Sequence, residues 1–356
     1  MPPSDSPPRR KRSARFVEIA QLANVSTATV NRVLNERGSV AAETRARVVA
    51  AAKQLGVPRL LPDPRHGVTR LDVILARSPT PFFRRIELAL QRSTQMLDRR
   101  IVVHRQMLAE DDDLAIAHAI ANPPQRRDGL VIVARDPPPV REALRAAIAR
   151  GVPVVTMVSD IGDIARLHFA GIDNLHAGRT AGHFIGRLSG PKGRVLVLSN
   201  SLRYRAHVDR TEGCRTVIAE RFAGLVCGEV IECFDDPDRS FHAVDTALRA
   251  RNGKDVVGLY HSGAGSAGIT AALLRRGREH DLVWVGHELS DEHREQLALG
   301  HMDLVIDQDP DGQVLSAMQH LLNACGYLDA APAGGPNEFR LFCAENLPAR
   351  PYLPPA

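Results

Sequence analysis

Residues 18–35 of this chain read EIAQLANVSTATVNRVLN and bring hydroxyls, amides and a cation together at a spacing suited to touching a nucleic acid. Ser26 stands where its hydroxyl caps a following helix, which leaves the first turn of that helix free to face outward. That turn holds Thr27, Ala28 and Thr29, and Asn31, Arg32 and Asn35 follow. A recognition helix presents its first turns to base edges in the major groove, while hydroxyls and cations around it hold phosphates. Thr27 and Ala28 are therefore the candidate base readers and Arg32 a base or phosphate contact; Ser26, Thr29, Asn31 and Asn35 complete the candidate DNA-binding set. Side chains this small meet thymine methyls rather than making bidentate hydrogen bonds, which predicts modest specificity from one head. A second chemistry is offered by Ser159-Asp160 after an aliphatic run, because a carboxylate at a strand end can accept hydrogen bonds from two neighbouring sugar hydroxyls.

The elements that must position these groups change character along the chain. Helical periodicity runs in three short pieces, Phe16 to Ala23, Thr27 to Asn35 and Ala42 to Leu55, with Gly56 at a C-cap position. Ala20 and Ala23 are small enough for two helices to approach, Asn24 suits the turn, and Val25, Val30 and Val33 fall where the helices share a core. This predicts a helix-turn-helix domain over 15–57, preceded by a disordered basic arm (1–14) and followed by a Pro-rich linker (58–70). Beyond it, aliphatic runs at 71–76, 101–104, 129–134, 153–158, 168–172, 194–199, 256–261, 282–287 and 303–308 alternate with amphipathic helices, the mark of parallel sheet with crossover helices. The turn-rich stretch 189–193 divides the series into similar halves. The expected fold is an all-α helix-turn-helix head and an α/β domain (71–345) of two doubly wound, Rossmann-like lobes. Lobe 1 takes about 71–190 and 308–322, and lobe 2 about 193–305 and 323–345. Residues 346–356 form a Pro-rich tail, and Pro348, Pro351, Pro354 and Pro355 exclude a heptad helix there.

Charge is distributed to match. Residues 1–70 hold thirteen Lys/Arg and five Asp/Glu, a net of +8, whereas the rest holds 33 and 36, a net of −3. A basic head on a mildly acidic body predicts a polyanionic partner at one end. No apolar run nears the roughly 18 residues that cross a bilayer, so no membrane role and a cytoplasmic location are expected. The five cysteines, Cys214, Cys227, Cys233, Cys325 and Cys343, are scattered without C-x-x-C spacing and read as reduced thiols. The fourteen histidines show no ligand spacing on one helix, so no metal site is expected, and no cofactor. Asp173-Asn174 reads as a helix N-cap, and Asp111-Asp112-Asp113 and Asp235-Asp236 as solvated charges at helix starts.

The run VSTATVNRVLN followed by ETRARVVAAAKQLG resembles the N-terminal module of LacI-type regulators. The alternating lobes resemble the periplasmic-binding-protein fold that completes such regulators. The resemblance implies a DNA-binding regulator of transcription, a repressor, that binds operator DNA as a homodimer under control of a small polar effector, a sugar or sugar alcohol. It also implies where the effector sits. Phe82 and Phe83 in the Pro-Phe-Phe step resemble the aromatic pair that packs on the C–H face of a sugar. Arg210-x-x-Gly213 resembles the Arg-x-x-Gly whose guanidinium enters the cleft. His261 and Glu288 stand at strand ends where the family more often has Asn and Asp, and Asp307 and Gln308 match the crossover segment that reaches the ligand. With Asp160 these are the candidate ligand contacts. Where the family carries a hinge helix with a minor-groove leucine, this chain has Pro58, Pro62 and Pro64; Leu60 and Leu61 are the wedge candidates, and a smaller kink in the DNA is expected.

Two other classes compete. A transport-type solute-binding protein would carry an export signal and no head, the opposite of this sequence. An enzyme on a doubly wound fold would be expected to show G-x-G-x-x-G after the first strand, a P-loop or a G-x-S-x-G elbow with plausible partners, and the chain shows none of these at those places; the Gly-rich His261–Ser266 run before a helix is alone a weak phosphate-loop signal. No catalytic residue is assigned.

Overall fold

The computed structural model of the chain describes residues 14–35, 40–55, 57, 68–250 and 253–353. It divides into two units, Met1–Val68 and Thr69–Ala356. The expected arm before Ala14, Gly56, and the wedge candidates Leu60 and Leu61 lie outside the described residues.

In the first unit, α1 (Ala14–Leu22), α2 (Thr27–Leu34) and α3 (Ala42–Gln54) enclose a small core of Ile19, Ala20, Ala23, Val30, Val33, Val48 and Val49. The turn between α1 and α2 is built as its residues dictate. Asn24 takes a left-handed φ of 51°, a conformation that asparagine tolerates better than most residues. Ser26 caps α2, its Oγ accepting from the Thr29 N–H at 3.1 Å.

The second unit begins with β1 (Thr69–Arg77), two residues before the expected start of the α/β domain at 71. Then follow α4 (Pro81–Gln95), β2 (Ile101–Ala109), α5 (Asp113–Ala121), β3 (Gly129–Ile132), α6 (Pro138–Ala149), β4 (Val154–Met157) and β5 (His168–Ala170). These strands form a five-stranded parallel sheet in the order β2-β1-β3-β4-β5. Alternation along β1 sends Leu71, Val73 and Leu75 to one core and Ile74 to the other, so both faces are covered, as a parallel sheet requires.

Lobe 2 runs through α7 (Asn174–Leu188), β6 (Gly193–Ser199), α8 (Arg205–Arg221), β7 (Leu225–Glu232), α9 (Pro237–Arg249), β8 (Val256–His261), α10 (Ser266–Arg276), β9 (Val283–His287), α11 (Asp291–Leu299) and β10 (Leu304–Asp307). The chain then crosses back as α12 (Pro310–Ala324), which packs in lobe 1 beside α4, before β11 (Arg340–Phe342) closes the second sheet antiparallel to β10. The second sheet has the order β11-β10-β9-β8-β6-β7.

The lobe boundaries correct the sequence expectation. Residues 189–193 are a turn inside lobe 2, because α7 buries Ala177, Ala181 and Ile185 against Val195, Val197 and Tyr260 of the second sheet. The first crossing falls instead at 171–173, where the Asn337 N–H donates to the Gly171 carbonyl and Ile172 bridges Asn337 in parallel. Lobe 1 likewise keeps the chain past 322: Cys325 and Tyr327 pack on its core, and the Tyr327 hydroxyl meets Thr69 Oγ1 at 2.8 Å. A sequence break marks a turn, but only burial shows which core a helix joins.

Helices α7 and α8 approach closely through glycine. A Cβ on Gly178 would stand 1.9 Å from the Arg210 carbonyl oxygen, and one on Gly213 would stand 2.2 Å from the Leu175 oxygen. Backbone carbonyls occupy the space that side chains would need, and this contact fixes where Arg210 begins.

Candidate functional site

The head presents a polar face on α2. Ser26, Thr27, Ala28, Asn31, Arg32 and Asn35 are exposed while Val30, Val33 and Leu34 face the core. Thr29 is half-buried and its hydroxyl meets that of Ser26 at 2.9 Å. Asn35 donates its amide N–H to the side-chain oxygen of Asn31 one turn earlier, which pre-orders both amides on the exposed face.

Between the lobes lies a cavity with about 830 Å³ of empty space, its open mouth included. It opens at the C-terminal ends of the strands, where open α/β sheets bind ligands. Phe82 and Phe83 at the start of α4 wall one side, their rings edge-to-face at 5.6 Å. Arg210 of α8, Glu288 after β9 and Gln308 after β10 also line it. The turns that aim these groups are unusual: Val158 and Glu288 both take left-handed φ, 66° and 65°. A β-branched residue rarely adopts that conformation, and such residues concentrate at functional sites.

Arg210 is 3% exposed, and its guanidinium ties three segments together. Nε donates to Asn174 Oδ1 at 2.7 Å, Nη1 to the Ser262 carbonyl at 3.0 Å, and Nη2 to the Gln308 side-chain oxygen. Three of five N–H donors are thereby used, leaving two for a ligand. Asn174 directly follows the first crossing between the lobes and Gln308 begins the second, so Arg210 clamps the hinge as well as lining the cavity.

Glu288 is buried beneath the cavity wall. Its Oε1 accepts from the Gln308 backbone N–H and its Oε2 from the Tyr352 hydroxyl, each at 3.3 Å. Burial, with Asp307 nearby, pushes its carboxyl up to about 8. Between the ordinary glutamate value and about pH 8 the unfolded chain has released this proton while the folded chain keeps it, so this group makes stability fall as pH rises through that window. The expected result is that Glu288→Gln, which cannot ionise, becomes progressively more stable relative to the parent between pH 5 and pH 9. Parallel denaturant titrations of the two proteins at several pH values measure the difference, and a constant difference would place Glu288 in contact with water.

Tyr352 brings the tail into the site. It is buried, its N–H donates to Asp291 at 3.0 Å, and the Arg85 guanidinium of α4 lies 4.6 Å from its ring centroid. The segment expected to be only a Pro-rich tail thus touches both lobes. Other links join the cleft's opposite lip: the Tyr204 hydroxyl donates to Glu110 at 3.1 Å, Arg203 pairs with Asp113 at 3.1 Å, and the Ala206 N–H donates to Ser159 Oγ at 3.2 Å.

Three candidate residues are not brought to this cavity. Asp160 turns to the outer side of β4, held by Arg166 at 2.5 Å, by the Thr156 hydroxyl at 2.7 Å and by the Ile161 N–H. His261 ends β8 facing α10, with Ser266 Oγ at 3.2 Å, because neighbouring strand residues point to opposite faces. Asp307 accepts from the Leu289 and Asp309 N–H groups and holds the crossing turn. Conversely, Asp235 is no solvated charge. The left-handed φ of Phe234 and Asp235, 54° and 57°, turns Asp235 into the cavity, while Asp236 alone caps α9. Glu110, Asn200, Tyr204, His207 and His287 line it too and were not singled out from sequence. His287 directly precedes Glu288 at the end of β9, so reading each strand's last residue with its successor is the signal that finds it.

Two doubly wound lobes closing on a polar cavity, joined to a helix-turn-helix head, define a ligand-responsive DNA-binding regulator. Residues 73–326 match the periplasmic binding protein domain and residues 16–57 the bacterial regulatory proteins of the lacI family, and the chain belongs to that family of regulators. It is similar to the HTH-type transcriptional repressor PurR of Salmonella paratyphi B, 26% identical over 245 residues that cover 66% of this chain and 68% of the relative. The PurR of Salmonella enteritidis matches with the same figures. Among solved structures, GanP, a glucose-galactose binding protein from Geobacillus stearothermophilus, superposes with a TM-score of 0.70 at 18% identity over 80% of this chain and all of that one. An ABC transporter solute binding protein from Bacillus halodurans with bound myo-inositol gives 0.69 at 17% identity over 79% and 96%. At such identities these structures speak for the fold. Among the described residues no helix is long and apolar enough to cross a membrane, and no cluster of three or more His, Cys, Asp or Glu is placed to hold a metal ion.

Proposed function

We propose that the protein is a cytoplasmic repressor that binds operator DNA as a homodimer, and that a sugar or sugar alcohol bound between its lobes controls its operator affinity. The observation that carries the reading is the cavity itself, where a pair of phenylalanine rings faces hydroxyl, amide and carboxyl groups contributed by both lobes. A ring or chain with an apolar C–H face and a rim of hydroxyls matches such a wall. PurR is named a repressor and the structural neighbours are named for sugars and cyclitols, which fits both halves. We read the cleft as a binding site without a reaction of its own. A dimer follows from the need to set two recognition helices about 34 Å apart in successive major grooves, and lobe closure is the motion that changes that spacing. Operator and effector then alter each other's affinity by the same factor.

The test joins two assays. Thermal unfolding of the full chain against a panel of sugars and sugar alcohols names the effector, since a ligand bound to the folded cleft raises the melting temperature by mass action. Fluorescence anisotropy with operator DNA, with and without that effector, reads the coupling. Arg32→Ala is expected to weaken operator binding at least about tenfold, as loss of one good base or phosphate contact does, with the melting curve unchanged. Undiminished binding by that variant would remove Arg32 from the interface, and a silent panel would sink the sugar reading.

A further inference from the structure

One end of the cavity is lined by acceptors. Glu110 reaches it from the end of β2 in lobe 1, and Asp235 reaches it from the turn after β7 in lobe 2. Asp235 Oδ1 accepts from the Ala264 N–H at 2.7 Å and Oδ2 from the Asn200 amide at 2.7 Å. A carboxylate oxygen accepts more than one hydrogen bond, so each retains capacity. Because Asn200 gives its N–H to Asp235, its Oδ1 is fixed as a further acceptor; Asn200 is 8% exposed, and that oxygen is buried without a partner. An unpaired buried acceptor of this kind costs roughly 1–3 kcal/mol, which a ligand donor would recover.

The Arg210 charge reaches this end of the cavity and draws the Asp235 carboxyl down, but among the described residues no cation forms an ion pair with Glu110 or Asp235. Glu110 receives only the Tyr204 hydroxyl. Arg210 spends three donors on Asn174, Ser262 and Gln308, and Arg135 and Arg203 both pair with Asp113. Two carboxyl groups from opposite lobes therefore line one cavity, and neither is ion-paired among the described residues. The carboxyl of Asp235 is pushed up to about 6: burial is the largest cause, the Ala264 N–H opposes it, the Glu110 charge adds to it, and the Asn200 amide and the Arg210 charge oppose it.

We propose that the effector carries a protonated amine, and that Glu110 and Asp235, with Asn200 Oδ1, receive it from opposite lobes. The proposal rests on the cleft being the effector site and narrows the sugar to an amino sugar or amino alcohol. An ammonium group supplies three donors and a positive charge at once, where a hydroxyl supplies one donor and no charge. It also ties recognition to closure, because the two carboxyl groups belong to opposite lobes of one cavity.

Thermal unfolding and titration calorimetry on the full chain test this with glucosamine, N-acetylglucosamine, glucose, putrescine and calcium chloride as probes. The expected result is a melting shift with glucosamine and an affinity at least about tenfold above that for glucose or N-acetylglucosamine, with Asp235→Asn removing most of the difference. Glu110→Gln, on the other lobe, is expected to act in the same direction. Equal affinity for glucose and glucosamine, unchanged by Asp235→Asn, overturns the amine while leaving the cleft a sugar site. Stabilisation by putrescine and by no sugar keeps the amine and removes the sugar reading. A shift with calcium that Asp235→Asn abolishes, or no shift with any probe, overturns the proposal.

Discussion

Replacing Gly178 with alanine is expected to lower the stability of the large domain by about 3 kcal/mol, the upper part of the range for overpacked cores. The added Cβ would sit 1.9 Å from the carbonyl oxygen of Arg210, a distance that no side-chain rotation relieves because both atoms belong to helix backbones. Alanine's intrinsic advantage over glycine inside a helix, about 1 kcal/mol, opposes the change and loses. For a domain of this size the melting temperature falls roughly 6–10 °C. Gly190 is the control, since a Cβ there meets nothing within 4 Å, and its alanine variant should stay within about 0.5 kcal/mol of the parent. Denaturant melts of the two variants decide the matter, and equal stability would mean that α7 and α8 slide apart at little cost.

Arg210→Met should separate the two activities of the molecule. The long apolar side chain fills most of the space, yet Asn174 Oδ1, the Ser262 carbonyl and the Gln308 side chain lose their shared donor. Each orphaned acceptor costs on the order of 1–3 kcal/mol, while the guanidinium's own burial penalty is removed, so the net loss of stability is about 2 kcal/mol. The larger effect is functional. With the hinge unclamped and two ligand donors gone, operator binding is expected to persist and to lose its dependence on effector. Anisotropy titrations with and without effector read this directly, and a variant that still responds would show that coupling runs through other segments.

How far sequence led can be traced residue by residue. Aliphatic runs such as Val73–Ala76 and Val195–Leu198 are buried on both faces of parallel sheets, and a continuous apolar run is what that environment selects. β7 escaped notice because it is an edge strand, and its Glu229 and Glu232 break the apolar run. Phe82, Phe83, Arg210 and Gln308 were named from the family resemblance and Glu288 from its strand end, and all five line the cavity. His261 and Asp160 show the limit: a shift of one residue at a strand end exchanges cavity for core. Asp235 shows another, since the sequence Asp-Asp-Pro reads as a cap for either acid and only the backbone dihedral decides which turns inward.

Helix α12 has a consequence for the order in which the molecule is made. The core of lobe 1 contains Val314, Ala317, Met318 and Leu321, all from the chain's return crossing. Lobe 2 is assembled from the unbroken stretch 174–307 apart from its edge strand β11. A chain leaving the ribosome from its N terminus therefore carries an incomplete lobe 1, with apolar surface open on one face of its sheet, while lobe 2 is synthesised. The lobe translated first is the one finished later, and during that interval it is the part of the nascent protein most in need of a chaperone.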